Sequence, residues 1–249
     1  MSGHSKWATI KRKKGANDAK RGQLFSKLSR AIIVAAKEGG GDPDGNTALA
    51  TAVQKARDNS MPKDNIERAI QRGAGGADGA AYEFVSYEGY GPGGVAFLVQ
   101  ALTDNRNRTA SDVRHIFAKN GGALGTPGSV AWQFERRGVI VIDKGTIDED
   151  LLMDIALEAG AEDISEDGEH WQITTDPADL MGVRGALETA EIAYGSAELT
   201  MIAKTTVETA EKEARQVLRL VDHLEENDDV QEVHANFDIS EEVLELVAG

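Results

Sequence analysis

Residues 82–103, YEFVSYEGYGPGGVAFLVQALT, alternate apolar and polar positions and are rich in β-branched and aromatic residues on both sides of a glycine-proline turn. That pattern predicts a β-hairpin. Gly89, Gly91 and Gly94 inside it satisfy the spacing G-x-G-x-x-G. A dinucleotide site built on that spacing needs a helix immediately afterwards, so that backbone amides and the helix N-terminus meet the pyrophosphate. Here a strand follows, and the reading is rejected. No Walker lysine follows any glycine run, which excludes a P-loop.

Working outward toward the C-terminus, residues 104–122 (DNRNRTASDVRHIFAKNGG) read as a helix closed by Gly121 and Gly122. Residues 128–145 (GSVAWQFERRGVIVIDKG) read as two strands around a turn at Arg136-Arg137-Gly138. A β-α-β-β-α-β set then follows: a strand over Val139–Ile142, a helix over Asp148–Ala159, strands at Ile164 and Trp171–Thr174, a helix over Pro177–Ala190 and a strand over Ala197–Ala203. A last helix, Val207–Glu226, and a strand around Val233–Phe237 complete the set begun at Tyr82. One α+β unit is therefore expected to be inserted into another.

On the N-terminal side the periodicity is helical. Leu24, Leu28, Ala31, Ile32 and Ala35 recur at helix spacing between Ala19 and Lys37. Asn46 or Thr47 caps a second helix carrying Leu49, Val53 and Ala56 inward. A third starts with Pro62 in its first turn, pairs Asp64 with Arg68, directs Ile66 and Ile70 to the core and ends at Gly73. The Gly/Ala-rich run after it is a linker. The fold class is α+β with three domains: residues 1–78 a basic helical domain with an N-terminal arm, 79–136 plus 205–249 a split α+β domain, and 137–204 the inserted α+β domain.

Charge divides the chain in the same place. Residues 1–75 hold 15 Lys/Arg against 7 Asp/Glu, a net of +8, whereas residues 76–249 hold 12 against 35, a net of −23. Such a division suggests a polyanion-binding arm on a body that nucleic acid avoids. Lys20, Lys27, Arg30 and Lys37 share one stripe of the first helix, and Lys11, Arg12, Lys13 and Lys14 precede it. A stripe of this kind displaces phosphate counterions. Trp7, between Lys6 and that cluster, has two readings: an indole that stacks on an exposed base, or an apolar anchor that pins the terminus with Ile10. Asn105, Arg106, Asn107 and Arg108 also have two, a phosphate cradle at a helix start or arginines paired with nearby carboxylates.

Other chemistry is not indicated. The chain lacks cysteine, which removes disulfides, thiolate metal sites and thiol nucleophiles. His4, His115, His170, His223 and His234 have no metal-ligand spacing, and no serine lies in G-x-S-x-G. The expectation is a non-enzyme with no cofactor, no metal, no small-molecule substrate and no membrane span, in the cytoplasm; the oligomeric state is left open.

The stretches GHSKWATIKRKKGANDAKRGQLFSKLSR (3–30), NSMPKDNIERAIQRG (59–73), YEGYGPGGVAFLV (87–99), TDNRNRT (103–109) and GSVAWQF (128–134) together resemble the YebC/PmpR family. The resemblance covers nearly the whole chain. It implies a helical domain, a split ferredoxin-like domain and a second α+β domain inserted in it. It also implies one of two activities: ribosome (rRNA) binding that supports translation through consecutive prolines, or DNA-binding transcriptional regulation. Carried over, the implied nucleic-acid contacts are His4, Ser5, Lys6, Trp7, Lys11, Arg12, Lys13, Lys14, Lys20, Arg21, Lys27 and Arg30.

Overall fold

A computed structural model describes residues 18–75, 82–240 and 242–243. The chain is α+β in three domains, as expected. Three helices come first: α1 (Asp18–Gly39), α2 (Thr47–Asp58) and α3 (Lys63–Ala74). Leu28, Ile32, Ala35 and Ala36 of α1 pack against Leu49, Val53 and Ala56 of α2 and Ile66 and Ala69 of α3. Asn46 provides the α2 cap. Its Oδ1 accepts from Leu49 N at 3.1 Å, and its Nδ2 donates to the carbonyls of Ala35 and Gly40 at 2.8 Å, joining the end of α1 to the start of α2.

Two details of the third helix differ from expectation. Gly73 does not end α3; a Cβ there would lie 2.4 Å from Ile33 O, so the glycine lets α1 and α3 approach closely. Arg68 does not pair with the Asp64 carboxylate. Its Nε donates to the Asp64 carbonyl at 3.0 Å and its Nη2 to Asn65 Oδ1.

The hairpin forms as read, β1 (Glu83–Tyr90) and β2 (Ala96–Thr103) in antiparallel register. They are followed by α4 (Arg106–Lys119), the short β3 (Ala123–Leu124), and, after the insertion, α7 (Glu211–Glu225) and β9 (Val230–Ala235). The sheet runs β3-β1-β2-β9. Phe97 and Val99 of β2 meet Val113 and Phe117 of α4 and Val217, Leu220 and Leu224 of α7 on one face, with Phe97 edge-on to Phe117 at 5.7 Å. Ala96 and Leu98 point the other way and pack on Val130, Phe134, Met201 and Ala203. Both faces of β2 are covered, which is why VAFLV reads as a continuous apolar run.

The insertion comprises β4 (Phe134–Asp143), α5 (Glu149–Glu158), β5 (Ala161–Asp167), β6 (His170–Thr175), α6 (Leu180–Thr189) and β7 (Ser196–Ala203), with sheet order β5-β6-β4-β7. The first and third strands are therefore central, the ferredoxin-like arrangement. The earlier sheet has the same spatial plan with one reconnection: β1, beside the central β2, precedes it in the chain.

The turn expected at Arg136-Arg137-Gly138 is absent. β4 runs straight through it, and the join expected at 136/137 falls inside this strand. Gly138 serves proximity instead of reversal, since a Cβ there would sit 2.2 Å from Thr175 Oγ1 and 2.9 Å from Leu180 Cβ. The last helix also starts later than its periodicity suggested. Val207–Glu208 form a short strand (β8) paired in parallel with β10 (Phe237–Asp238), where Thr209 Oγ1 donates to Asp238 O. Among the described residues no helix is long and apolar enough to cross a membrane.

Candidate nucleic-acid interface

The basic stripe of α1 can be followed from Arg21 onward. Gln23, Lys27 and Arg30 lie at i, i+4 and i+7, one above another on a single face. That face docks on the acidic corner that closes α7. Gln23 Nε2 donates to Glu226 O at 2.6 Å and to Asp228 Oδ1 at 3.1 Å, and Lys27 Nζ donates to Glu225 O at 2.5 Å. Arg30 Nη1 reaches Asp228 O at 2.8 Å, Leu102 O at 3.2 Å and Asp229 Oδ1 at 3.1 Å, and its guanidinium lies 5.1 Å from the Tyr82 ring. The last carbonyls of a helix have no intrahelical donor and carry the negative end of its dipole, so a lysine and an arginine are favoured there.

Asp229 is the hub of this corner. Its Oδ2 accepts from Arg108 Nη2 at 2.7 Å, Thr109 Oγ1 at 2.7 Å and Thr103 Oγ1 at 3.2 Å. Burial pushes the carboxyl pKa up, but Arg108, Thr109 and Arg30 outweigh it and hold the group below the usual carboxylate range. Arg108 also meets Asp104 at 2.8 Å, and Arg106 faces Glu83 at 3.9 Å. Asn105 caps α4 by accepting from Arg108 N at 3.1 Å, which occupies one of the helix-start amides. Both arginines of the second basic cluster thus have carboxylates of the chain itself as neighbours.

A second docking point ties the helical domain to both sheets. Lys55 of α2 bonds to Glu232 of β9 and lies 3.7 Å from Glu198 of β7; Glu232 also meets His234 Nε2 at 3.3 Å. Burial alone would lower the Lys55 pKa, yet the two carboxylates raise it; burial alone would raise that of Glu232, yet Lys55 and His234 depress it well below the usual range. Arg184 of α6 stacks on Tyr194 at 5.3 Å and reaches Asp58 of α2 at 3.5 Å. A cleft of about 980 Å³ opens between the domains, walled by Val34, Phe84, Met181 and Met201. Among the described residues no group of three or more His, Asp and Glu could hold a metal ion.

His4, Ser5, Lys6, Trp7, Lys11, Arg12, Lys13 and Lys14 lie outside the described residues, as does the Lys20 side chain. Arg21 is exposed, with its guanidinium 5.4 Å from the Phe25 ring, and Lys37 is exposed at the far end of α1. The described stripe therefore splits, with Lys27 and Arg30 turned to the body and Arg21 and Lys37 turned outward. Sequence reasoning missed the partners Asp229, Glu232 and Glu198. The only available signal was the acidic run EENDD at 225–229, which has the opposite sign to α1 but stands some 200 residues away.

The comparisons with known proteins agree along the chain. The model of the TACO1/YebC protein N-terminal domain matches residues 5–76, and that of the TACO1/YebC second and third domain matches residues 82–237. A "Probable transcriptional regulatory protein" of Rubrobacter xylanophilus is 64% identical over all of both chains, and another of Desulfotalea psychrophila is 57% identical, likewise over all of both. The crystal structure of a conserved hypothetical protein from Aquifex aeolicus, 48% identical, superposes with a TM-score of 0.82 over 93% of this chain and 96% of that one.

Proposed function

Because this chain belongs to the TACO1/YebC family, whose relatives are named as regulatory proteins, we propose that it is a non-enzymatic, nucleic-acid-binding regulator of gene expression that acts on the ribosome through rRNA and relieves stalling at consecutive prolines. The observation that carries this reading is the charge division, +8 over residues 1–75 against −23 over the remainder. The body repels a polyanion, and the basic segment gives it one place to bind. Its contact surface is His4 to Trp7, Lys11 to Lys14, Lys20 and Arg21. Lys27 and Arg30 set the angle at which α1 leaves the body, and Asn105, Arg106 and Arg108 brace the corner on which it rests.

Irregular RNA suits this surface better than duplex DNA. A major-groove reader offers a helix whose side chains are available to base edges. The helix placed for that task here is α3, which follows α2 after a four-residue connection. It presents Asp64 and Glu67 beside Arg68, Lys63 is paired with Glu67 at 3.6 Å, and Arg68 is bonded within its own helix. A factor bound beside the reacting ends assists proline, whose ring fixes φ, by orientation alone, and orientation accounts for several kcal/mol of a barrier.

The second reading, a DNA-binding transcriptional regulator, is favoured by the printed names of the relatives. Ribosome profiling paired with RNA sequencing in a strain lacking the protein separates the two. Increased occupancy at consecutive-proline codons with unchanged transcript levels is the expected result. Unchanged occupancy, together with altered transcripts from promoters the protein occupies, would replace the translational reading with the transcriptional one.

A further inference from the structure

Two segments of the split domain, residues 89–103 and 120–134, contain no charged residue in a body that holds 35 Asp/Glu. They meet at the Tyr90–Ala96 end of the hairpin. There the loop before β4 presents Trp132 with 67% of its surface exposed, beside Tyr90 at 40%. An indole so exposed loses the burial that ordinarily favours it.

The loop is nevertheless firmly built. Tyr90 Oη and Trp132 Nε1 donate to the same carbonyl, Ser129 O, each at 3.1 Å. Beneath them the buried Glu88 carboxylate accepts three backbone amides, Gly128 and Val130 at 2.7 Å and Ala131 at 2.8 Å. Burial would raise the Glu88 pKa, and the three amides instead hold it below its ordinary value. The indole N–H and the phenol O–H are both spent on Ser129 O, which leaves the exposed ring surfaces to meet a ligand. Lys204 is exposed and adjoins the loop, its backbone N–H donating to Gln133 O at 2.8 Å, and it makes no ion pair among the described residues.

We infer that Trp132 and Tyr90 form a stacking platform for an unpaired nucleobase, with Lys204 as the neighbouring phosphate contact. Three observations select this occupant. The ring faces are held in place before anything binds, which reduces the entropy lost on binding. The two segments that carry the rings add no charged side chain to a body that is otherwise strongly acidic, and the Glu88 carboxylate beneath them is engaged by three backbone amides. A platform whose donors are used internally offers chiefly its π faces, and every base has such a face.

The platform is distinct from the arm. Arg30 docks at Leu102, and Tyr90 pairs with Ala96 at the opposite end of β2, six residues or about 20 Å along the strand. This inference rests on the reading of the chain as a nucleic-acid binder, and the test separates the two.

The full chain, labelled with 5-fluorotryptophan and assigned with the W132F variant, is titrated with a single-stranded oligouridine at physiological salt, while fluorescence anisotropy measures total binding. A saturable shift of the Trp132 fluorine resonance is expected, with a smaller one for a blunt DNA duplex. W132A should bind the oligonucleotide about 5- to 100-fold more weakly with an unchanged salt slope, W132F should stay within about threefold of wild type, and K204A should lower the slope by about one. If the oligonucleotide binds while the Trp132 resonance stays fixed and W132A binds like wild type, the platform is refuted and the arm reading stands. Absence of any binding by the wild-type chain refutes both. A shift produced by a proline-rich peptide but not by RNA also overturns the inference, and assigns the surface to peptide.

Discussion

Replacing Asp229 by alanine should loosen the helical domain from the body, and the structure sets the size of the effect. The carboxylate has four donors: Arg30 at 3.1 Å, Arg108 at 2.7 Å, Thr109 at 2.7 Å and Thr103 at 3.2 Å. These losses are unequal. Arg108 is half exposed and keeps Asp104, so water replaces its lost partner at little cost. Arg30 is mostly covered and keeps two carbonyls, and it loses a charge-assisted bond of about 1.5–3 kcal/mol. Thr103 and Thr109 are fully buried, but their hydroxyl oxygens lie 2.7 Å apart, so without the carboxylate one can turn to donate to the other, which limits their loss to about 1 kcal/mol. Together these come to about 2.5–4 kcal/mol for D229A. D229N, which keeps the shape and one acceptor, should lose about half as much. At roughly 2–4 °C per kcal/mol for a chain of this size, the apparent melting temperature of D229A falls by about 5–16 °C. Limited proteolysis should show cleavage between α3 and β1 before the body is cut. A melting temperature within 2 °C of wild type, with unchanged cleavage order, would refute the assignment of Asp229 as the hub.

Other consequences concern the body and its pH response. E88Q turns one acceptor into a donor against the amides of residues 128–131, so those amides should exchange faster, with a loss of about 1–3 kcal/mol. Glu232 and Asp229 have folded pKa values below their ordinary ones, so the stability they confer is present above about pH 4 and lost as pH falls through the folded values. Melting temperature measured from pH 6 to 2.5 should therefore fall below about pH 4, and less steeply in E232Q. G138A should be destabilised by about 1–3 kcal/mol because its Cβ meets Thr175 and Leu180, whereas G145A, with open space around it, should unfold like wild type in urea.

Local chemistry made much of this molecule legible from the amino-acid sequence. The 3.6-residue spacing of Leu28, Ile32 and Ala35 and the alternation in residues 82–103 depend on which face is buried, and burial leaves a periodic trace wherever an element packs on one side. The nested order of strands and helices, the rejected dinucleotide loop and the charge division follow from the same short-range patterns. Glycines were harder, because the residue type records only that a side chain is unwelcome. Gly73 and Gly138 read as a helix end and a turn, and the packed structure shows them to be points of close approach, to Ile33 in one case and to Thr175 and Leu180 in the other.

What tertiary structure alone decided is the fate of each charge and aromatic. The sequence places Lys27 and Arg30 on the same helical stripe as Lys37, and only the return of the chain some 200 residues later puts Glu225, Asp228 and Asp229 against two of those cations while Lys37 stays exposed. Trp132 lies in a stretch that reads as strand, yet the loop whose amides Glu88 gathers leaves it on the surface. Periodicity reports whether a residue is buried within its own element. Which distant group it meets depends on how sheets and insertions are threaded, and a pairing across 200 residues leaves no local pattern to read.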